Sequence, residues 1–131
     1  MKALLLFLVV FFLLWDLGWM VAGVHQMLPW RLRRLRDETP PGPQVLDVRT
    51  PAEFALFHIP GAINRPDALL ADPAALGLDP KRPVVVACMT GHRSPFVAKR
   101  LAAQGYDAAN LTWGMLGWKL AGGKSVSGGT R

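Results

Sequence analysis

Apolar positions dominate the start of the chain: from Ala3 to Val24 every residue is apolar, aromatic or glycine except Asp16. As a helix these 22 positions span roughly 33 Å, against a hydrocarbon core of about 30 Å. Fourteen are Leu, Phe or Val, each favouring insertion by roughly 0.3 to 0.6 kcal/mol, whereas one central Asp costs about 2.5 to 3.5 kcal/mol. The pattern therefore predicts one transmembrane helix. Residues 37–43 (D-E-T-P-P-G-P) follow, and their prolines and glycine exclude a regular helix or a central strand, which sets a domain boundary.

From 43 to 122 the apolar pattern alternates between strand-like and helix-like periods. Val45–Val48 is a short buried strand, and Thr50-Pro51-Ala52-Glu53 is a capping box that starts a helix running to about Phe57. Ala62-Ile63 is a weak strand, and Asp67–Ala71 a helical turn. Pro83–Ala87, continuously apolar and β-branched, reads as the middle of a parallel sheet. Ser94-Pro95 then reads as N-cap and first position of a helix that ends near Gly105, before a strand at Ala108–Leu111 and a short helix at Met115–Ala121. Such alternation predicts an α/β domain, a parallel sheet with helices on both faces. Gly122–Arg131 has almost nothing to bury and reads as a disordered tail. The expected organisation is an anchor at 1–30, a basic juxtamembrane segment and Pro-rich linker at 31–42, the domain at 43–122 and a tail at 123–131.

Charge refines this picture. The 131 residues carry 15 Lys and Arg against 9 Asp and Glu, a net +6 that suggests a nucleic-acid binder until its distribution is read. Residues 43–122 hold eight basic and six acidic side chains, while Arg31, Arg33, Arg34 and Arg36 fall within six positions behind the apolar span. By the positive-inside rule they favour a retained, single-pass anchor with the C-terminal domain in the cytoplasm, and they suit contact with anionic membrane lipid. The alternative is a signal peptide cleaved near Val21-Ala22-Gly23 and an exported domain. No nucleic-acid partner is expected; a membrane-protein partner is open. Asp16 reads as a tolerated acid facing a partner helix or water.

The single cysteine excludes an internal disulfide, and no second cysteine suggests a zinc site or a dithiol pair; no metal or cofactor is expected. Cys88 sits directly after the central strand and directly before a helix, at the carboxyl edge where open α/β sheets place ligands. A helix N-terminus and a neighbouring cation, Arg93, favour thiolate over thiol. Met89, Thr90, Gly91 and His92 between them can turn their N–H groups inward as an anion-binding nest, with Gly91 supplying a positive φ. The plain alternative is a small apolar residue that ends a buried strand.

C-M-T-G-H-R-S (Cys88–Ser94) resembles the active-site loop of rhodanese-type sulfurtransferases, close to C-x-x-G-x-R-S. L-D-V-R-T-P-A-E-F (46–54), H-I-P-G-A-I-N (58–64), Asn110-Leu111 and Gly114–Trp118 are similar to other blocks of that family, in family order. The resemblance implies a rhodanese-like three-layer domain with a central parallel sheet. It also implies a persulfide on Cys88, a small sulfur donor such as thiosulfate or a persulfide, and a thiol or cyanide acceptor. Asp47, Arg49, Glu53 and His58 are expected to support the fold; His92 has no orienting carboxylate and reads as a loop residue rather than a base. Phosphatases and arsenate reductases on this fold are disfavoured, because their loop places five residues between Cys and Arg and this chain has four. A non-catalytic binding module is the other alternative. Phe57 and Trp113 depart from the family's usual glycines.

Overall fold

The computed structural model describes residues 1–129. Ten regular elements follow in order: α1 (Lys2–Val21), β1 (His25–Met27), α2 (Pro29–Glu38), β2 (Gln44–Asp47), α3 (Pro51–Leu56), β3 (Ile63–Asn64), β4 (Val84–Ala87), α4 (Ser94–Ala103), β5 (Ala108–Leu111) and α5 (Gly114–Leu120). The five strands form one parallel sheet in the order β1-β5-β4-β2-β3.

Side chains alternate across the sheet and divide the core in two, as the two-residue period of a strand requires. Val84, Val86 and Cys88 face α4, packing with Leu46, Val97, Ala98 and Leu101. Val85 and Ala87 face the other way, towards Leu32 of α2, Phe54 of α3, and Met115 and Trp118 of α5. The result is the three-layer α/β arrangement read from the sequence. α3 begins with the expected capping box, Thr50 Oγ1 accepting from the Glu53 N–H and the Glu53 carboxylate accepting from the Thr50 N–H.

Three expectations are corrected. The fold begins well before residue 43: β1 pairs with β5 in register from His25↔Ala109 to Met27↔Leu111, and α2 buries Pro29 and Leu32. The segment read as anchor end and linker is thus an edge strand and a core helix, leaving 39–43 as the connection. The arginines also do more than mark topology. Arg33 donates to the Ala121 carbonyl and Arg36 to the Pro60 carbonyl, while Arg31 and Arg34 stay exposed. The tail is held as far as Gly128: Trp118 Nε1 donates to the Lys124 carbonyl, Val126 pairs with His58 through both backbone groups, and the Gly128 N–H reaches the Ala55 carbonyl. Thr130 and Arg131 of the expected tail lie outside the described residues.

α1, 20 residues long, is long and apolar enough to cross a membrane. Its outer turns are exposed; near its end Trp15, Asp16 and Trp19 are partly covered by the domain. Trp19 meets Phe96 of α4 edge-on, with ring centroids 4.7 Å apart.

Candidate active site

β4 delivers Cys88 to the carboxyl edge of the sheet, fully buried. The loop curls back over it, so that the Gly91 N–H donates to Cys88 Sγ at 3.0 Å and Ser94 Oγ lies 3.3 Å from the same sulfur. Gly91 takes a φ of +88° and passes 3.0 Å (measured from where a Cβ would stand) from the Trp113 backbone nitrogen, so glycine is required both for its conformation and for its size. Among the described residues no backbone hydrogen bond takes up the other loop N–H groups from Met89 to Arg93.

Ser94 does not cap α4 as expected. The N-cap is Arg93, with no side-chain cap bond, and the Ser94 hydroxyl is turned inward between Cys88 Sγ and Asn110 Oδ1. Asn110 Nδ2 in turn donates to Gln26 Oε1 at 2.9 Å, as does Thr112 Oγ1. A hydroxyl has one hydrogen, so when it is given to Asn110 the thiol proton can be given to the hydroxyl oxygen; with a thiolate, the hydroxyl can turn its hydrogen to sulfur. Gln26, Asn110 and Thr112 were not among the expected site residues. The available hint was a polar Asn110 in an otherwise apolar strand.

Arg93 is placed differently from the cation expected beside the sulfur. Its guanidinium reaches across to Glu53, 3.3 Å away, and among the described residues donates no hydrogen bond to Sγ. Its Nε is shielded from solvent and has no hydrogen-bond partner among the described residues. Burial pushes the Glu53 carboxyl up, but the Thr50 N–H, the Arg93 guanidinium and the Thr50 hydroxyl together outweigh it and hold the pKa below its ordinary 4.5. A carboxyl lowered on folding stabilises the fold above its unfolded pKa, and that contribution is lost as pH falls through the folded value. Glu53 should therefore add about 1 kcal/mol or less to the acid loss that begins below about pH 4.5, and acid melts of Glu53→Gln should show a loss smaller by that amount.

Beneath the loop, Arg49 and Asp47 form an ion pair at 2.8 Å with side chains 0% and 1% exposed. Arg49 also donates to the Phe57 carbonyl at 2.6 Å and packs under Met89, while Asn64 Nδ2 holds the carbonyls of 47 and 49. Phe57 tolerates its departure from glycine because its backbone is extended, with φ −168°. His58 is buried, stacked on the Phe54 ring at 3.7 Å with Nδ1 against the Phe54 carbonyl. Thr90 and His92, at the rim, contact each other through Oγ1 and Nδ1.

The first turn of α5 fastens the loop from outside, with the Met115 N–H donating to the Cys88 carbonyl at 2.8 Å and the Leu116 N–H to that of Met89 at 3.1 Å. Gly114 makes this approach possible: a Cβ there would stand 2.4 Å from the Cys88 carbonyl oxygen. Gly114→Ala should therefore displace the loop and cost about 1 to 3 kcal/mol, read by thermal melting alongside turnover.

A parallel sheet with a cysteine at its carboxyl edge, wrapped by a C-x-x-G-x-R-S loop, defines a class with known members. The Rhodanese-like domain model matches residues 30–121, and the chain belongs to that family. It is 35% identical over 97 residues to thiosulfate sulfurtransferase GlpE of Pseudomonas aeruginosa, covering 72% of this chain and 84% of that protein. It is 29% identical over 108 residues to the thiosulfate:glutathione sulfurtransferase of Saccharomyces cerevisiae, covering 72% and 78%. Among solved structures, a rhodanese-like domain protein from Staphylococcus aureus superposes with a TM-score of 0.64 at 28% identity, over 72% of this chain and 91% of that one.

Proposed function

We propose that the protein is a membrane-anchored sulfurtransferase that carries sulfane sulfur as a persulfide on Cys88. One observation carries the reading: the enclosed sulfur of the single cysteine accepts the Gly91 N–H inside a loop whose remaining N–H groups, among the described residues, are free of backbone bonds. That environment suits a thiolate, then the terminal sulfur of a persulfide, and the oxygens of an anionic donor. Arg93 Nε, which has no partner among the described residues, adds a charge-assisted donor beside the loop.

In the first half-reaction the Cys88 thiolate attacks the outer sulfur of thiosulfate. A new S–S bond forms, and the old one breaks with its electron pair leaving on sulfite. The loop rim has to shift to admit the donor, since Cys88 is wholly enclosed. In the second half-reaction cyanide or a thiolate attacks the outer persulfide sulfur. Thiocyanate or a new persulfide leaves, and the Cys88 thiolate returns with its electron pair. Ser94 follows these charge changes by turning its hydrogen between Asn110 and the sulfur.

The anchor is α1, and the exposed Arg31 and Arg34 behind it favour a domain on the cytoplasmic side. Full-length protein in detergent, given thiosulfate and cyanide, should form thiocyanate; no turnover with any sulfane donor would end the enzymatic reading. Protease outside intact cells should spare the domain until lysis, and cleavage without lysis would place it outside.

A further inference from the structure

All five strands point their carboxyl ends to one edge of the sheet, which carries Cys88 after β4, Trp113 after β5 and Leu28 after β1. α1 joins β1 through Ala22–Val24 alone, with the Val24 N–H bonded back to the Trp19 carbonyl, so the helix doubles back along the domain. Its exposed turns, up to Leu14, consequently stand at the carboxyl edge. Trp19 meets Phe96 in the first turn of α4, and Trp113 borders a cleft with Leu5, Leu8, Val9, Phe12 and Leu13 further along the same helix.

Apolar side chains cluster at this edge. Leu28 and Trp30 at the start of α2, Phe96 at the start of α4, and Trp113 and Leu116 around the start of α5 are 37–47% exposed. The Trp30 and Trp113 rings lie 6.1 Å apart. Trp113 has a φ of +62°, a left-handed conformation unfavourable for a residue with a Cβ. Its backbone nitrogen is the one packed against Gly91 of the active-site loop.

Resting on the anchor reading of α1, we infer that the carboxyl edge of the sheet is the face the domain lays on the bilayer. The aromatic collar occupies the headgroup layer, as Trp does at membrane interfaces, and Arg34, one turn beyond Trp30 and lining the same recess, reaches anionic headgroups. A bilayer is the occupant because the exposed collar is continuous with the apolar helix that stands there. The loop over Cys88 then opens onto the interface, and donor and acceptor reach the sulfur through the headgroup layer.

The test uses the full chain in a Cys88→Ser background, reconstituted in vesicles of phosphatidylcholine and phosphatidylglycerol. Val9→Cys, Leu116→Cys and Lys81→Cys are each labelled with a bimane fluorophore. All three positions are exposed, and Lys81 lies at the opposite edge of the sheet, ahead of β4. Acyl-chain nitroxide lipids should quench Val9. Headgroup nitroxides should remove at least twice as much fluorescence at Leu116 as at Lys81. Quenching at Val9 with Leu116 no more quenched than Lys81 would overturn the docking face and leave the anchor standing. No quenching at Val9 would overturn both.

Discussion

Cys88→Ser is expected to reduce sulfur transfer more than about a thousandfold while leaving the fold intact, because the hydroxyl cannot hold a sulfane sulfur through an S–S bond. The serine oxygen would stand where Sγ now accepts the Gly91 N–H, and the enclosed site, bounded by Val86, Val97 and Ala98 in the same core cluster, would tolerate it. Thiocyanate formation and thermal melting measured on the same preparation separate the two effects. Turnover surviving in the variant would assign the chemistry to another group, and a collapsed melt would show that Cys88 serves the core.

Arg49→Ala carries the largest expected effect on stability. It leaves the Asp47 carboxylate in the core, 1% exposed, without the guanidinium that supplies most of its hydrogen bonds. Removing one partner of a buried pair costs about 3 to 5 kcal/mol. For a domain of this size that lowers Tm by at least about 12 °C. Replacing both residues with apolar side chains of similar volume should recover much of the loss, since the penalty comes mainly from the orphaned charge. A single variant melting within about 1 kcal/mol of the parent would mean that water or another cation reaches Asp47. The same substitution removes the support under Met89, so turnover should fall as well.

The legible parts of this molecule are those whose partners lie close in sequence. The Thr50 and Glu53 capping box closes over three residues, and the continuous run of β4 announces a strand buried on both faces. The cysteine loop was readable because its glycine, arginine and serine stand within six residues of Cys88. What escaped depends on distant pairing. His25-Gln26-Met27 has no apolar run, and it becomes a strand only because β5, more than 80 residues later, offers it an edge. The Gly-rich tail buries little, yet it satisfies Trp118 and His58 through backbone groups that composition cannot reveal. Arg93 turned to Glu53, 40 residues away, and Ser94 turned to Asn110 instead of capping α4. In both cases a local rule gave way to a partner brought in by the sheet.

The central claim is that Cys88 holds the sulfur in transit. The most direct measurement is the intact mass of the full-length protein after thiosulfate, with peptide mapping of the modified residue. The mass should rise by one sulfur atom located on Cys88, and cyanide should remove it with release of an equal amount of thiocyanate. An unchanged mass, or a sulfur that cyanide does not remove, would contradict transfer through Cys88.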